Sequence, residues 1–311
     1  MSKILVLGDA ILDRYLIGEA KGLSPEGAFP LVLMKNDYED YRVGGAANCA
    51  NCIKKLLPEA TVDLMSIIGN DFSGVKLRQM LEKTGIGFED TMFYTNKHPT
   101  ILKTRVCIGN RQIVRYDIED ESNLDSEQLS AIINKLNNIA RDYEVIVVSD
   151  YNKGIVNGLT FACVSLNSNG FILVDPKKKD FGVYKQADMI TPNMKEFALA
   201  TDSKSTLSKK DIAKKSRSLM LNYGIKNVLV TMSESGMLHV SGNKSTHYPT
   251  MAKSVVDVVG AGDTVVATIA AMKASGKSMK KCIEAANIAA GLVIGKFGTD
   301  TITMDELKEK L

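Results

Sequence analysis

The chain opens on an uninterrupted apolar run, Ile4-Leu5-Val6-Leu7, that ends at Gly8-Asp9. A run this short predicts a first β-strand. The signature returns after about Asp120. Val145 to Ser149, Phe171 to Asp175, Met189 to Thr191 and Val228 to Thr231 are short β-rich runs, each ending at a polar residue or turn and separated by longer helical patterns. Such alternation predicts an α/β protein with a mostly parallel central sheet covered by helices. In these sheets the polar residues at the carboxyl ends of the strands face the ligand crevice. That rule nominates Asp150, Asp175, Lys177, Asn193, Glu196 and Ser233.

Two segments, about 10–43 and 88–119, break the alternation. They carry strand-like patches (Leu31 to Met34, Ile101 to Cys107, Gln112 to Tyr116) without intervening helices. Together they predict a small separate sheet that closes over the crevice as a lid and excludes water during reaction. Exposed edges on such a lid favour a homodimer that pairs through it. The Ser- and Lys-rich stretch Ser203 to Ser218 reads as a solvated helix face.

Composition narrows the partners. With 311 residues and 45% apolar content the chain can bury a large core. Its 39 basic and 36 acidic residues are spread along the sequence for a net charge of +3, so nothing calls for nucleic acid or a membrane surface. The first apolar run is too short for a secretion signal, and Val265 to Met272 is too short to span a bilayer. A cytoplasmic location is the expectation. Five cysteines are an odd set at this length and read as reduced thiols. Cys49 and Cys52 form a Cys-x-x-Cys, but there is no second pair, and His98, His239 and His247 have no metal-ligand spacing to it. The two read as small buried residues one helical turn apart.

The chemistry concentrates in Asp257-Val258-Val259-Gly260-Ala261-Gly262-Asp263-Thr264. A glycine-rich turn opening an apolar helix brings backbone N–H groups and the positive helix end to bear on a transferring phosphate. Asp263, in the first turn, is placed to take a proton from an attacking hydroxyl. Upstream, Asn193-Met194-Lys195-Glu196 sets an amide and a carboxylate three residues apart. That pair suits magnesium held directly or through water, or a simple helix cap.

Three ordered motifs resemble the ribokinase-type (pfkB) family of carbohydrate kinases along essentially the full length. They are Gly44-Gly45-Ala46-Ala47-Asn48, the Asn193 to Glu196 run and the Asp257 to Thr264 run. Gly8 to Tyr15, Leu23-Ser24-Pro25-Glu26, Ser149 to Gly154, Asp175-Pro176-Lys177 and Thr191-Pro192-Asn193 are similar to the family's heptose 7-phosphate kinases, which act in lipopolysaccharide core precursor synthesis. The resemblance implies a single ribokinase-like domain over 1–311: a three-layer α/β/α sandwich with a β-sheet lid. Because the chain stops at Leu311, it also implies a kinase without the second, nucleotidyl-transferring domain found in many relatives.

The activity implied is ATP- and Mg²⁺-dependent transfer to the anomeric hydroxyl of D-glycero-D-manno-heptose 7-phosphate. Asp263 would be the base and Gly260, Ala261 and Gly262 the anion hole. Lys177, Asn193, Met194, Lys195, Glu196, Ser233, Gly236 and Asn287 would serve the nucleotide, with Asn193 and Glu196 organising magnesium. Asp13, Gly44, Gly45 and Asn48 would hold the sugar, and Arg14, Lys103, Arg105 and Arg111 are candidates for its phosphate. Val258-Val259 replaces hydroxyl residues frequent in the family, which weakens the case for a monovalent cation. Gly27-Ala28-Phe29 replaces an Ala-Pro-Val type run, with consequences for sugar-pocket shape.

Other readings stay open at this point. One is another sugar or nucleoside kinase of the same fold, since fold does not settle substrate. A catalytically silent sugar- or nucleotide-binding regulator is another, although it would have no use for Asp263. A dinucleotide-dependent oxidoreductase lacks support, because Gly8-Asp9-Ala10-Ile11-Leu12 is not the Gly-x-Gly-x-x-Gly turn.

Overall fold

In the computed structural model, residues 1–109, 111–120, 124–204, 206–251, 260–295 and 301–310 are described, with the side chains of 35–37 set aside. The main sheet among them comprises β1 (Lys3–Gly8), β4 (Thr61–Gly69), β5 (Met92–Thr95), β8 (Val145–Ser149), β9 (Phe171–Asp175), β10 (Met189–Ile190), β11 (Asn227–Thr231), β12 (Met237–Ser241) and β13 (Lys244–Tyr248). Their order is β13-β12-β11-β10-β9-β8-β1-β4-β5, parallel from β5 to β11 and antiparallel at β12 and β13.

The two-residue side-chain period explains the layers. Ile4 and Val6 of β1, Val145 and Val147 of β8, and Leu173 of β9 enter one core. Leu5, Leu7, Ile146, Val148, Ile172 and Val174 enter the other. Helices α1 (Ala46–Leu56), α2 (Phe72–Leu81), α7 (Ala261–Ala274), α8 (Met279–Val293) and α9 (Met304–Lys308) cover the first face. Helices α3 (Ser126–Ile139), α4 (Gly158–Asn167), α5 (Met194–Ala200) and α6 (Lys209–Tyr223) cover the second. The α/β/α sandwich is as the sequence predicts.

The lid sheet has the order β3-β2-β6-β7, built from β2 (Ala10–Leu23), β3 (Pro30–Gly45), β6 (Ile101–Ile108) and β7 (Arg111–Ile118). Its base is part of the core, with Ala10, Ile11, Leu12 and Tyr15 buried. Its outer half exposes Ile17, Leu31, Leu33 and Val114. One boundary is corrected. Met92–Thr95 falls inside the predicted lid segment but pairs with β4, because its residues register against Ser66–Gly69 at the edge of the main sheet.

The β12–β13 hairpin escaped the pattern reading. Its signal was a Gly242-Asn243 turn after the apolar run of β12. The helix expected in Ser203 to Ser218 starts only at Lys209, where Ser208 caps it. All five cysteines are buried and none is in a disulfide among the described residues, and Cys49 and Cys52 lie on α1 as expected. No helix among the described residues is long and apolar enough to cross a membrane.

Candidate active site

Helix α7 begins at Gly260, whose φ of 80° is the left-handed conformation that glycine adopts without strain. Every residue from Asp263 to Met272 is buried, so the helix runs through the interior and its amino end meets the crevice. Gly260, Gly262 and Asp263 line that crevice together with Asp150, Asp175, Lys177, Asn193, Glu196 and Thr231. Helix dipole and first-turn N–H groups therefore converge where the strand ends open.

The Asp263 carboxylate is 7% exposed and held at both oxygens. Asn48 Nδ2 donates to Oδ2 at 2.7 Å and the Tyr151 hydroxyl donates to Oδ1 at 2.8 Å. Burial pushes its pKa up to about 6 against these two hydrogen bonds, with the Asp13 carboxylate adding to the rise and Lys103 opposing it.

Asn48 reaches this position because Gly45 turns at φ 57° and Ala46 N–H bonds the Asp9 carbonyl at 3.0 Å, starting α1 beside β1. Its amide meets the predicted base, an engagement the motif did not reveal. Tyr151 stands just past β8, on a turn whose Tyr151 and Lys153 N–H groups donate to Asp9 Oδ2 at 2.9 and 3.2 Å. Burial, then the neighbouring Asp150, raise Asp9 to about 6. The strand-end rule that found Asp150 would also have found Asp9 after β1. Tyr151 carried no signal of its own.

Across the crevice, Asn193 and Glu196 form a reciprocal cap on α5. Asn193 Oδ1 accepts from the N–H groups of Lys195 and Glu196 at 2.9 and 3.0 Å, while Glu196 Oε2 accepts from Asn193 N–H at 2.9 Å. Lys177 Nζ pairs with Glu196 Oε1 at 2.9 Å. The helix-cap role is realised here, and Glu196 lines the crevice at the same time. Met194 is half-buried and Lys195 exposed on α5. Burial, then Glu196, raises Asp175 well above the ordinary carboxylate range.

Among the described residues no group of three or more His, Cys, Asp or Glu is arranged to grip a metal. The donors on this wall are all oxygen, which suits a magnesium that keeps most of its waters. Ser233, exposed at φ 49°, and Gly236 flank the turn after β11, outside the crevice lining just given. Asn287 is buried and donates to the Pro249 carbonyl at 2.7 Å. Asp257, Val258 and Val259, on which the cation expectation rests, lie outside the described residues.

The base of the lid forms the remaining wall. Asp13 is buried and ion-paired to buried Arg105. Gly44 has its backbone against that carboxylate, where a Cβ would collide with it. Arg14 donates to Thr104 Oγ1 at 3.2 Å and to the Tyr116 hydroxyl at 2.5 Å. Arg111 is exposed at the start of β7. Lys103 lies over the Tyr151 ring, 5.4 Å from its centroid, and burial lowers its pKa. Asp13, Gly44, Gly45, Lys103 and Arg105 of the lid sheet and Asn48 of α1 thus gather around Asp263 at the amino end of α7. A carboxylate poised at a helix amino terminus, beneath a lid and beside a crevice, can accept a hydroxyl proton while the helix end holds developing phosphoryl charge.

Comparisons with known proteins agree. The pfkB family carbohydrate kinase description matches residues 1–306. The bifunctional protein HldE of Haemophilus influenzae (strain PittEE) is 38% identical over 313 residues, covering 100% of this chain and 63% of that protein. Its counterpart in Citrifermentans bemidjiense is 38% identical over 309 residues, covering 98% and 62%. The chain therefore spans somewhat under two thirds of these relatives.

Among solved structures, phosphofructokinase-2 from Escherichia coli in complex with potassium superposes with a TM-score of 0.82 at 17% identity, covering 99% of this chain and 98% of that one. Thermotoga maritima ribokinase gives 0.76 at 23% identity, covering 99% of each. These two likenesses concern the fold. With the family motifs gathered at one crevice and the family description matched over almost the whole length, the chain belongs to the pfkB family of carbohydrate kinases.

Proposed function

We propose that the chain phosphorylates the anomeric hydroxyl of D-glycero-D-manno-heptose 7-phosphate from ATP, giving the 1,7-bisphosphate, in the cytoplasm and on the route to ADP-heptose and lipopolysaccharide core. The observation that carries this reading is Asp263 at the head of α7, buried and held by Asn48 and Tyr151. The heptose assignment is supported by the full-chain likeness to the HldE proteins.

In the proposed reaction Asp263 accepts the proton as the sugar oxygen attacks the γ-phosphorus and ADP departs. The first-turn N–H groups around Gly260, Ala261 and Gly262 hold the charge on the transferring group. Asp13 accepts hydrogen bonds from sugar hydroxyls, oriented by Arg105 and backed by Gly44 and Gly45. Lys103 faces the substrate phosphate. Lys177 attends the nucleotide phosphates, and the turn carrying Ser233 and Gly236 borders the base. Glu196 and Asn193 would hold magnesium, which would neutralise phosphate charge. The exposed apolar lid face pairs two chains.

ATP turnover across heptose 7-phosphate, ribose, fructose 6-phosphate and adenosine tests the assignment. Preference for the heptose phosphate, abolished in Asp263→Asn, is the expected result. Preference for another acceptor would keep the kinase and reject the heptose, whereas nucleotide binding without turnover of any acceptor would favour a silent regulator.

A further inference from the structure

Asp263 is held by two neutral donors, and one of them is a phenol supplied by a turn built around a second buried carboxylate. The Asp9 side chain accepts the N–H groups of Tyr151 and Lys153, which fixes the backbone immediately after β8. The Tyr151 ring is then covered by the Lys103 ammonium from the lid strand β6, and its hydroxyl meets Asp263 Oδ1 at 2.8 Å. A cation over the ring face draws electron density from the ring and makes the hydroxyl a better donor. Burial and the Asp263 and Asp175 carboxylates keep the phenol protonated, so it can only donate toward the base.

We propose that Tyr151 is a positioning residue for the transfer step: its hydroxyl fixes one oxygen of Asp263, leaving the carboxylate's other lone pairs aimed at the acceptor hydroxyl. The inference rests on the reading of Asp263 as the base. In the step, the acceptor O–H bond breaks and its proton passes to Asp263. The new O–P bond forms as the bond to the ADP oxygen breaks, and Tyr151 keeps its own proton throughout. A hydrogen bond given to the ionised carboxylate favours that form. Besides Tyr151, the titratable groups facing Asp263 are Asp13 and Lys103 from the lid, Asp175 from β9 and Cys49 from α1.

The test combines a substrate-free titration with a rate profile. Carboxyl ¹³C NMR of the full chain labelled at aspartate gives the Asp263 midpoint, its signal assigned by loss in Asp263→Asn. Tyr151→Phe keeps the ring beneath Lys103 and removes only the donor. A charge-assisted hydrogen bond of ~1.5 kcal/mol corresponds to roughly one pH unit, so the midpoint should rise by about that much. The acid limb of kcat/KM for heptose 7-phosphate should move with it, giving about a fivefold loss near pH 6, approaching tenfold below that, and a smaller loss at alkaline pH.

Should the Phe variant not fold, 3-fluorotyrosine at 151, a stronger donor, should lower the midpoint. An unmoved midpoint, or a uniform fall in rate with the limb in place, would overturn the role of Tyr151. Full activity of Asp263→Asn would instead remove the base itself, a failure visible before any Tyr151 variant is made.

Discussion

Replacing Asp263 with Asn removes the base and, at the same stroke, a buried charge. The carboxylate titrates at about 6 in the folded chain against an ordinary value of 3.8, because burial outweighs the donors from Asn48 and Tyr151. A folded pKa above the unfolded one means that the native state binds the proton more tightly. The associated stability is therefore complete below the unfolded value and is lost as pH rises through about 6. The full rise from 3.8 to about 6 is worth roughly 3 kcal/mol, of which about 1.4 kcal/mol falls between about pH 5 and about pH 7.5.

The amide introduced by Asp263→Asn cannot accept from both Asn48 and Tyr151 in the same way, which costs ~1–3 kcal/mol, but that offset does not vary with pH. Urea unfolding of both proteins across this window should show the variant gaining on the wild type by about the stated amount as pH rises. Turnover should fall by ~10²–10⁴-fold above about pH 6, where the wild-type carboxylate is ionised. A stability difference that stays flat with pH would refute the buried-charge reasoning, and retained turnover would refute the base.

Other outcomes follow from the same contacts. Arg105→Ala strands Asp13 as an uncompensated buried charge and should cost about 3 kcal/mol in thermal or urea unfolding, part of it recovered in the Arg105→Ala/Asp13→Asn double variant. Gly44→Ala drives a Cβ into the Asp13 carboxylate, so kcat/KM for the sugar should fall by up to ~10²-fold while the KM for ATP holds steady. The wild-type acid limb of kcat/KM should lie near pH 6, with activity lost below it as Asp263 takes up its proton. Leu31→Asp with Leu33→Asp should convert the proposed lid-paired dimer to a monomer in sedimentation velocity, since both side chains are 44% exposed on the lid, and a wild type that sediments as a monomer would refute the pairing.

The main sheet was legible because its strands are buried on both faces, and that leaves unbroken apolar runs such as Ile4 to Leu7. The β12–β13 hairpin was not read from its pattern because three of the five β13 positions are exposed, which weakens the alternation to a polar stretch. Asp263 and Asn48 were legible as members of motifs, yet their 2.7 Å contact spans two helices far apart in the chain and leaves no trace in spacing. Asn193 and Glu196 show the reverse. Their three-residue interval is satisfied by a local capping box, so the spacing reports the helix start before any metal. Asp9 was within reach of the strand-end rule, but its hold on the Tyr151 turn comes from β1 and β8 lying side by side, a pairing that topology alone supplies.

The most direct test of the central claim is phosphorus NMR of the reaction of this chain with ATP, magnesium and D-glycero-D-manno-heptose 7-phosphate. The account predicts a second sugar phosphate at the anomeric carbon, formed in step with ADP and absent with Asp263→Asn. A new phosphate at any other carbon, or ADP formation with no new sugar phosphate, would contradict it.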